Sequence, residues 1–253
     1  SVKDGDGDAV LLNFNDTAVF ETHRDNNTYP ALFEKNNFNG FEDVFKNGPT
    51  SVAMTFRFLG KENRLTGLPS HTLPLSLPDT TMGEPIRLYN TDINEFEVDN
   101  GMAMYGAVPF VLAHSLDRSI GLFWANPSET WIDIKHNENK ESSDARFISE
   151  GGYIDVYVFT GTPKDISDEY TQLTGRPMLA PRFAIAYHQC RWGYMTQEDF
   201  VQVSKSLDAI GVPHDVLWLD LDHTDDRKYF TFHPTNFPSP KKMLADFEKN
   251  KRY

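Results

Sequence analysis

Two side chains between Phe183 and His223 (FAIAYHQCRWGYMTQEDFVQVSKSLDAIGVPHDVLWLDLDH) could hold a neutral, hydroxyl-rich ligand. Asp220 ends an apolar run, Val216-Leu217-Trp218-Leu219. A carboxylate there loses solvation, and a partner must offset that loss. A sugar hydroxyl is one such partner; an ion pair with Arg191 is the other. Trp192 follows an earlier apolar run, within Arg191-Trp192-Gly193-Tyr194. An indole can stack on the apolar face of a sugar ring and donate its N–H. Plain core packing is the alternative. Gly193 opens backbone conformations closed to other residues.

Other candidates are weaker. Asp222, His223, Asp225 and Asp226 have the composition of a metal site. Their spacing matches no calcium or zinc loop, so a solvated loop is expected. His188 reads as a structural histidine with satisfied hydrogen bonds. Cys190 has no assignable base and no reason to be a nucleophile. There is no glycine-rich phosphate loop and no G-x-S-x-G elbow. No metal and no cofactor are expected.

The elements that must position these residues can be read around them. Phe183–Tyr187 and Val216–Leu219 are compact apolar runs, the pattern of strands in a parallel sheet. Between them, Thr196-Gln197-Glu198-Asp199 is a helix-start signature with Thr196 as N-cap. Phe200, Val203, Leu207 and Ile210 follow at helical spacing, and Gly211 ends the helix. Lys241–Lys251 reads as another helix, with Met243, Leu244 and Phe247 inward. The order strand, helix, strand, helix predicts the first βα units of a parallel (β/α) barrel, whose strand C-termini handle substrate. Two such units fall far short of the eight in a closed barrel.

Residues 1–162 read as an antiparallel β-sandwich of short strands and turns. Ala9–Phe14 and Thr17–Thr22 flank a turn-like Asn15-Asp16, which predicts a hairpin. Ser51–Leu59 alternates, with Val52, Met54, Phe56 and Phe58 on one face. Phe110–His114, Ile120–Trp124, Thr130–Ile134 and Tyr153–Thr160 are further strands. Asn137–Asp144 (NENKESSD) is expected to be a solvated loop, and Thr72–Pro85 an extended one. Asp165–Thr174 predicts a helix with an acidic first turn, capped by Gly175 and stopped by Pro177. A linker helix and loop at 163–180 would then lead into barrel residues 181–253.

Bulk properties narrow the function. The net charge of −13 argues against nucleic acid, which needs clustered Lys and Arg. The 19 Phe, 10 Tyr and 4 Trp are mostly what core packing needs, with a few left for stacking on sugars. No apolar run approaches the roughly 20 residues of a membrane span, so no membrane partner is expected. The single cysteine excludes an internal disulfide, which larger secretory-pathway domains can also do without. Ser1–Asp8 is polar and has no signal-peptide pattern. Asn15-Asp16-Thr17 and Asn26-Asn27-Thr28 are glycosylation sequons, weakly favouring a luminal location.

A set of motifs in one order resembles glycoside hydrolase family 31. The set comprises Gly48-Pro49-Thr50-Ser51-Val52, Gly67-Leu68-Pro69-Ser70-His71, Glu84-Pro85-Ile86-Arg87-Leu88-Tyr89-Asn90-Thr91-Asp92 and Met104–Phe110 (MYGAVPF). It continues through Gly121–Trp131 (GLFWANPSETW), His188–Tyr194 (HQCRWGY) and Trp218–His223 (WLDLDH). Ser70 stands where the family has an acidic residue.

The resemblance implies a β-sandwich ahead of a (β/α)8 barrel, and an α-glucosidase that retains anomeric configuration. Asp220 matches the aspartate that binds hydroxyls of the terminal glucose. Trp192 matches an aromatic lining the same pocket, and Asp92 an aspartate on a sandwich loop reaching over the barrel mouth. The element at Gly67–His71 favours the branch that trims glucose from N-glycans in the endoplasmic reticulum lumen. Expected partners are then an α-glucoside or glucosylated N-glycan, a regulatory β subunit, and the remainder of the barrel. The family's nucleophile lies in a W-x-D-M-N-E-P-like run, and its acid/base comes later; neither motif occurs in this sequence. The chain is therefore expected to be the N-terminal part of a longer enzyme and inactive alone, with no catalytic carboxylate of its own. A non-catalytic carbohydrate-binding or structural module built on the same scaffold is the alternative.

Overall fold

The computed structural model describes residues 51–116, 118–137 and 141–253 in full, and five short strands among the first fifty residues by their backbone. The chain divides into two compact units, Ser1–Arg176 and Pro177–Tyr253. In the first unit the described strands are β1 (Val2–Lys3), β2 (Val10–Phe14), β3 (Val19–Glu21), β4 (Asn37–Phe38), β5 (Phe41–Glu42), β6 (Ser51–Leu59) and β7 (Arg64–Gly67). They continue with β8 (Ile86–Leu88), β9 (Phe110–His114), β10 (Ser119–Trp124), β11 (Thr130–His136), β12 (Ser142–Ser149) and β13 (Val156–Gly161), before helix α1 (Pro163–Thr174).

One antiparallel sheet runs β1-β2-β6-β12-β11-β8, with β3 also on β6; a second runs β13-β10-β9-β7. A separate pair joins β4 to β5. The two larger sheets share one core, as a sandwich does. Phe56, Phe58, Ile132, Ile134 and Phe147 come from the first sheet, and Leu65, Val111, Ile120, Leu122 and Trp124 from the second. None of these ten is more than 1% exposed. Trp124 stacks on Phe147 at 5.5 Å between ring centroids and meets Phe56 edge-on at 6.1 Å. Its buried indole N–H donates to Ser149 Oγ at 2.9 Å, so no polar group is stranded there. The alternation in β6 has the expected outcome: Val52, Phe56 and Phe58 are buried and Met54 packs against the same cluster.

Helix α1 lies on the other face of the second sheet. Tyr170 meets Phe110, Phe123 and Phe159 at 4.7, 5.3 and 6.1 Å. Thr162 and Asp165 form the capping box that starts α1, each side chain accepting from the other's backbone N–H. The helix thus belongs to the first compact unit, whose boundary falls at Arg176.

Two expectations for this unit need correction. Ala9–Phe14 and Thr17–Thr22 do not make a hairpin. Both β2 and β3 run antiparallel to β6, β2 against Phe56–Phe58 and β3 against Ser51–Ala53. They therefore share one direction along the same strand; alternating apolar runs carry no information on direction. Nor is Asn137–Asp144 wholly a loop. Its last three residues open β12, which sits between β6 and β11. Asp144 is tolerated there because Arg57, directly across in register, clamps it through Nε and Nη2 at 2.7 and 2.8 Å. That charge-assisted pair also raises the pKa of the Arg57 guanidinium.

The second unit holds β14 (His188–Gln189), α2 (Gln197–Ala209), β15 (Val216–Leu217) and α3 (Pro240–Lys249). β14 and β15 pair in parallel, His188 with Val216 and Gln189 with Leu217. On the opposite edge of β15, Tyr253 donates to Asp215 O and accepts from Leu217 N–H, both at 2.9 Å. That is the two-bond pattern of a third parallel neighbour. Two βα units are present, without barrel closure. Phe200, Leu217, Phe237 and Met243 are buried between strands and helices. The expected strand Phe183–Tyr187 is instead a 3-10 turn, Arg182–Ile185, ahead of β14. Pairing on β15 begins only where the Tyr187 carbonyl accepts from Asp215 and Val216, so the apolar residues upstream have no strand beside them. Leu244, expected inward, is 51% exposed, because the buried face of α3 is set by Met243 and Phe247. Among the described residues no helix is long and apolar enough to cross a membrane.

Candidate functional site

In the second unit the site is built from the segments that leave β14 and β15. Past Gln189 the chain makes a tight excursion and returns at Tyr194. Both ends are fixed: Gln189 Nε2 donates to Tyr194 Oη at 2.8 Å, and the Tyr194 ring is buried against Phe200 at 5.7 Å. Trp192 stands on this excursion, 71% exposed. Gly193 follows with φ of +119°, in the region that favours glycine. Its N–H donates to Asp222 Oδ2 at 2.7 Å.

Past β15, Asp220 is half-buried and caps a 3-10 turn, Leu221–His223, with Oδ1 accepting from Leu221 N–H at 2.7 Å. The turn is braced from several sides. His223 N–H donates to Asp220 O at 3.2 Å, and Thr224 Oγ1 donates to Leu221 O at 2.6 Å. The His223 ring lies against Phe232 and Phe237, at 5.3 and 6.4 Å. His233 N–H donates to His223 O at 2.7 Å. These bonds hold the stretch carrying Asp220 and Asp222 in one conformation.

Side-chain alternation sorts the residues around Asp220. Leu217 and Leu219 pack into the cluster beneath α2 and α3. Trp218, two residues before Asp220, is 53% exposed. Its indole N–H donates to His188 Nδ1 at 3.0 Å. Because Nδ1 accepts, Nε2 carries the proton and donates to Phe183 O, also at 3.0 Å. His188 thus cross-links the ends of two strands and is the satisfied structural histidine expected from the sequence. Asp225 and Asp226 sit near Lys228, each at 3.9 Å, in an exposed loop.

Asp92 belongs to the first unit. It is exposed, on the long connection from β8 to β9. Hydrogen bonds bridge the two limbs of that connection. Asn90 Nδ2 donates to Tyr105 O at 2.6 Å, Thr91 N–H to Met104 O at 2.8 Å, and Tyr105 Oη to Ile93 O at 3.0 Å. At its root Arg87 pairs with Glu129 at 2.5 Å and lies over the Tyr89 and Trp131 rings, 4.9 and 5.2 Å from their centroids. Beside the root is a cavity of about 680 Å³, lined by Tyr89, Asn90, Ala107, Phe123 and Glu129 among others.

Trp192 and Asp220 therefore stand on segments that leave neighbouring strands and are joined by the Gly193–Asp222 hydrogen bond. Asp220 makes no ion pair with Arg191 among the described residues. Two contributors were missed from sequence. Trp218 had a usable signal, its two-residue offset from Asp220. Asp222 had none, because its partner is Gly193, 29 residues earlier. Chemically the arrangement offers a carboxylate acceptor and an exposed indole, which suit a ring with hydroxyl donors and an apolar face.

Comparison with known proteins places these features in a family. Residues 2–133 match the Glycosyl hydrolase 31 N-terminal galactose mutarotase-like domain, and residues 177–253 match the Glycosyl hydrolases family 31 TIM-barrel domain. The chain is 40% identical over 252 residues to "Glucosidase 2 subunit alpha" of Saccharomyces cerevisiae, covering 95% of this chain and 26% of that protein. Among solved structures it is similar to an ER glucosidase II heterodimer of the catalytic subunit and the binding domain of the regulatory subunit. There the TM-score is 0.84 at 37% identity, over 99% of this chain and 29% of the other. A glucosidase II alpha subunit solved in its alpha3-Glc2-bound form gives a TM-score of 0.83 at 37% identity, again over 99% and 29%. The chain spans about a quarter of the length of these relatives. With a sandwich followed by parallel βα units, and a family domain matched to each in the same order, the chain belongs to glycoside hydrolase family 31.

Proposed function

We propose that this chain supplies the glucose-recognition part of a retaining α-glucosidase that trims terminal α-linked glucose from N-glycans in the endoplasmic reticulum lumen. The observation that carries this reading is the pairing of Trp192 and Asp220 at adjoining parallel strand ends, joined by the Gly193–Asp222 hydrogen bond. Asp220 accepts hydrogen bonds from ring hydroxyls, charge-assisted and stronger than neutral ones. Trp192 covers the apolar face of the ring and keeps water from it. The alpha3-Glc2-bound form of a similar alpha subunit supports glucose as the sugar held.

The chemistry needs two more carboxylates, about 5 Å apart: one to attack the anomeric carbon, the other to protonate the leaving oxygen and then activate water. By the family resemblance the nucleophile lies in the W-x-D-M-N-E-P-like run and the acid/base later still, neither of which this sequence contains. The chain by itself binds and orients; it does not turn substrate over. A regulatory β subunit is the expected partner, as in the similar heterodimer.

The test uses 4-nitrophenyl α-D-glucoside. The 253-residue chain alone releases no nitrophenol. The polypeptide in which it continues into the rest of a family 31 barrel hydrolyses the substrate, and proton NMR finds α-glucose as the first product. Turnover by the chain alone, no turnover by the continued polypeptide, or β-glucose formed first would each overturn the proposal.

A further inference from the structure

Asp222 joins the segment that leaves β14 to the turn that follows β15. Its Oδ2 accepts the Gly193 N–H at 2.7 Å, while its own backbone is fixed within the Leu221–His223 turn capped by Asp220. The excursion that carries Trp192 is closed by the Gln189–Tyr194 hydrogen bond, and Tyr194 rests on Phe200. The Trp192 indole has only Gly193 between it and the buried Tyr194. Gly193 adopts φ of +119°, a conformation that glycine reaches freely and leaves freely, so a hydrogen bond to its N–H helps to select it. An added Cβ there would meet nothing closer than Arg191 Nε, at 3.8 Å. On the side where a side chain would stand no neighbour packs closely on Gly193, and the Asp222 carboxylate holds its N–H.

We propose that Asp222 is a positioning residue for Trp192: it orients the indole through the Gly193 N–H and ties its placement to that of Asp220. The functional consequence rests on the glucose-binding reading above. Asp222 touches no sugar itself. Without it the indole samples other orientations, and sugar binding has to select one of them.

Two measurements test this, and only the second depends on the enzymatic reading. In the chain labelled with 5-fluorotryptophan, the ¹⁹F resonance of Trp192 is identified by its absence in Trp192→Phe. Asp222→Ala should shift or broaden that resonance while those of Trp124 and Trp131, in the other unit, stay in place. An unmoved Trp192 resonance, or movement of all four, would overturn the proposal. In the active, continued polypeptide, Asp222→Ala should raise KM on the aryl glucoside roughly 10-fold, leave kcat within about 3-fold, and add less than about 2-fold once Trp192 is alanine. Additive losses would mean that Asp222 acts by another route. Should Asp222→Ala not fold, Asp222→Asn keeps an acceptor oxygen in a weaker, neutral bond. Its smaller KM rise must likewise vanish in the Trp192→Ala background, and persistence there counts against the proposal.

Discussion

A Cβ on Gly193 would make only an ordinary contact, with Arg191 Nε at 3.8 Å, yet the residue sits at φ of +119°, so the effect of a side chain there is a backbone effect. Gly193→Ala should cost about 1–3 kcal/mol and release the peptide from Asp222. Thermal unfolding of the second unit checks the first consequence, and a raised KM on an aryl α-glucoside checks the second. At this scale the sequence was partly legible. Trp192 and Asp220 stood out because an indole and a carboxylate at the ends of apolar runs ask for partners. Asp222 did not, because an acid among acids looks solvated until its partner from 29 residues away is in view. Asp144 was misjudged for the same reason: Arg57 lies across the sheet, 87 residues away in sequence.

Among the elements, α1 packs closely on β10. A Cβ on Gly121 would stand 2.6 Å from Ile166 Cγ2 and 3.0 Å from Phe110 Cζ. Ile166 is 1% exposed and cannot swing aside. Gly121→Val should destabilise the first unit by about 1–3 kcal/mol through overpacking, lowering its Tm in calorimetry. The same burial keeps the Tyr170 hydroxyl protonated to higher pH than usual. Asp79 ties the loop before β8 to the end of β11. Burial alone would raise its pKa, but bonds from the Thr81 hydroxyl and N–H and from the His136 N–H outweigh that and hold it below its usual range. A carboxyl depressed on folding stabilises the fold above its unfolded pKa, and that contribution is lost as pH falls through the folded value. Melting curves of the native chain and Asp79→Asn should therefore be separated at neutral pH and converge below about pH 4. A constant separation down to pH 2 would show that Asp79 acts through something other than its charge. Helices α1 and α2 were readable from their caps, and α3 from the spacing of Met243 and Phe247 alone. Strand direction was not, which is why β2 and β3 looked like a hairpin; nor was the pairing limit at Tyr187, which is why the 3-10 turn before β14 looked like a strand.

For the whole molecule, order along the chain was the most legible property. Short alternating strands gave way to apolar strands separated by capped helices, and the family domains follow the same order at residues 2–133 and 177–253. Phe56 lies at the centre of the sandwich, in contact with both Trp124 and Phe147. Phe56→Ala should cost about 3–5 kcal/mol and unfold the first unit at lower denaturant than the second, which denaturation followed by unit-specific probes can resolve. The glucose-recognition reading depends most on Asp220. The decisive measurement is kcat/KM of Asp220→Asn on an aryl α-glucoside, in the polypeptide that continues into the rest of the barrel. A fall of at least about 100-fold, the loss expected of charge-assisted bonds to hydroxyls in the transition state, is the predicted result. Kinetics equal to those of the unsubstituted enzyme would contradict it.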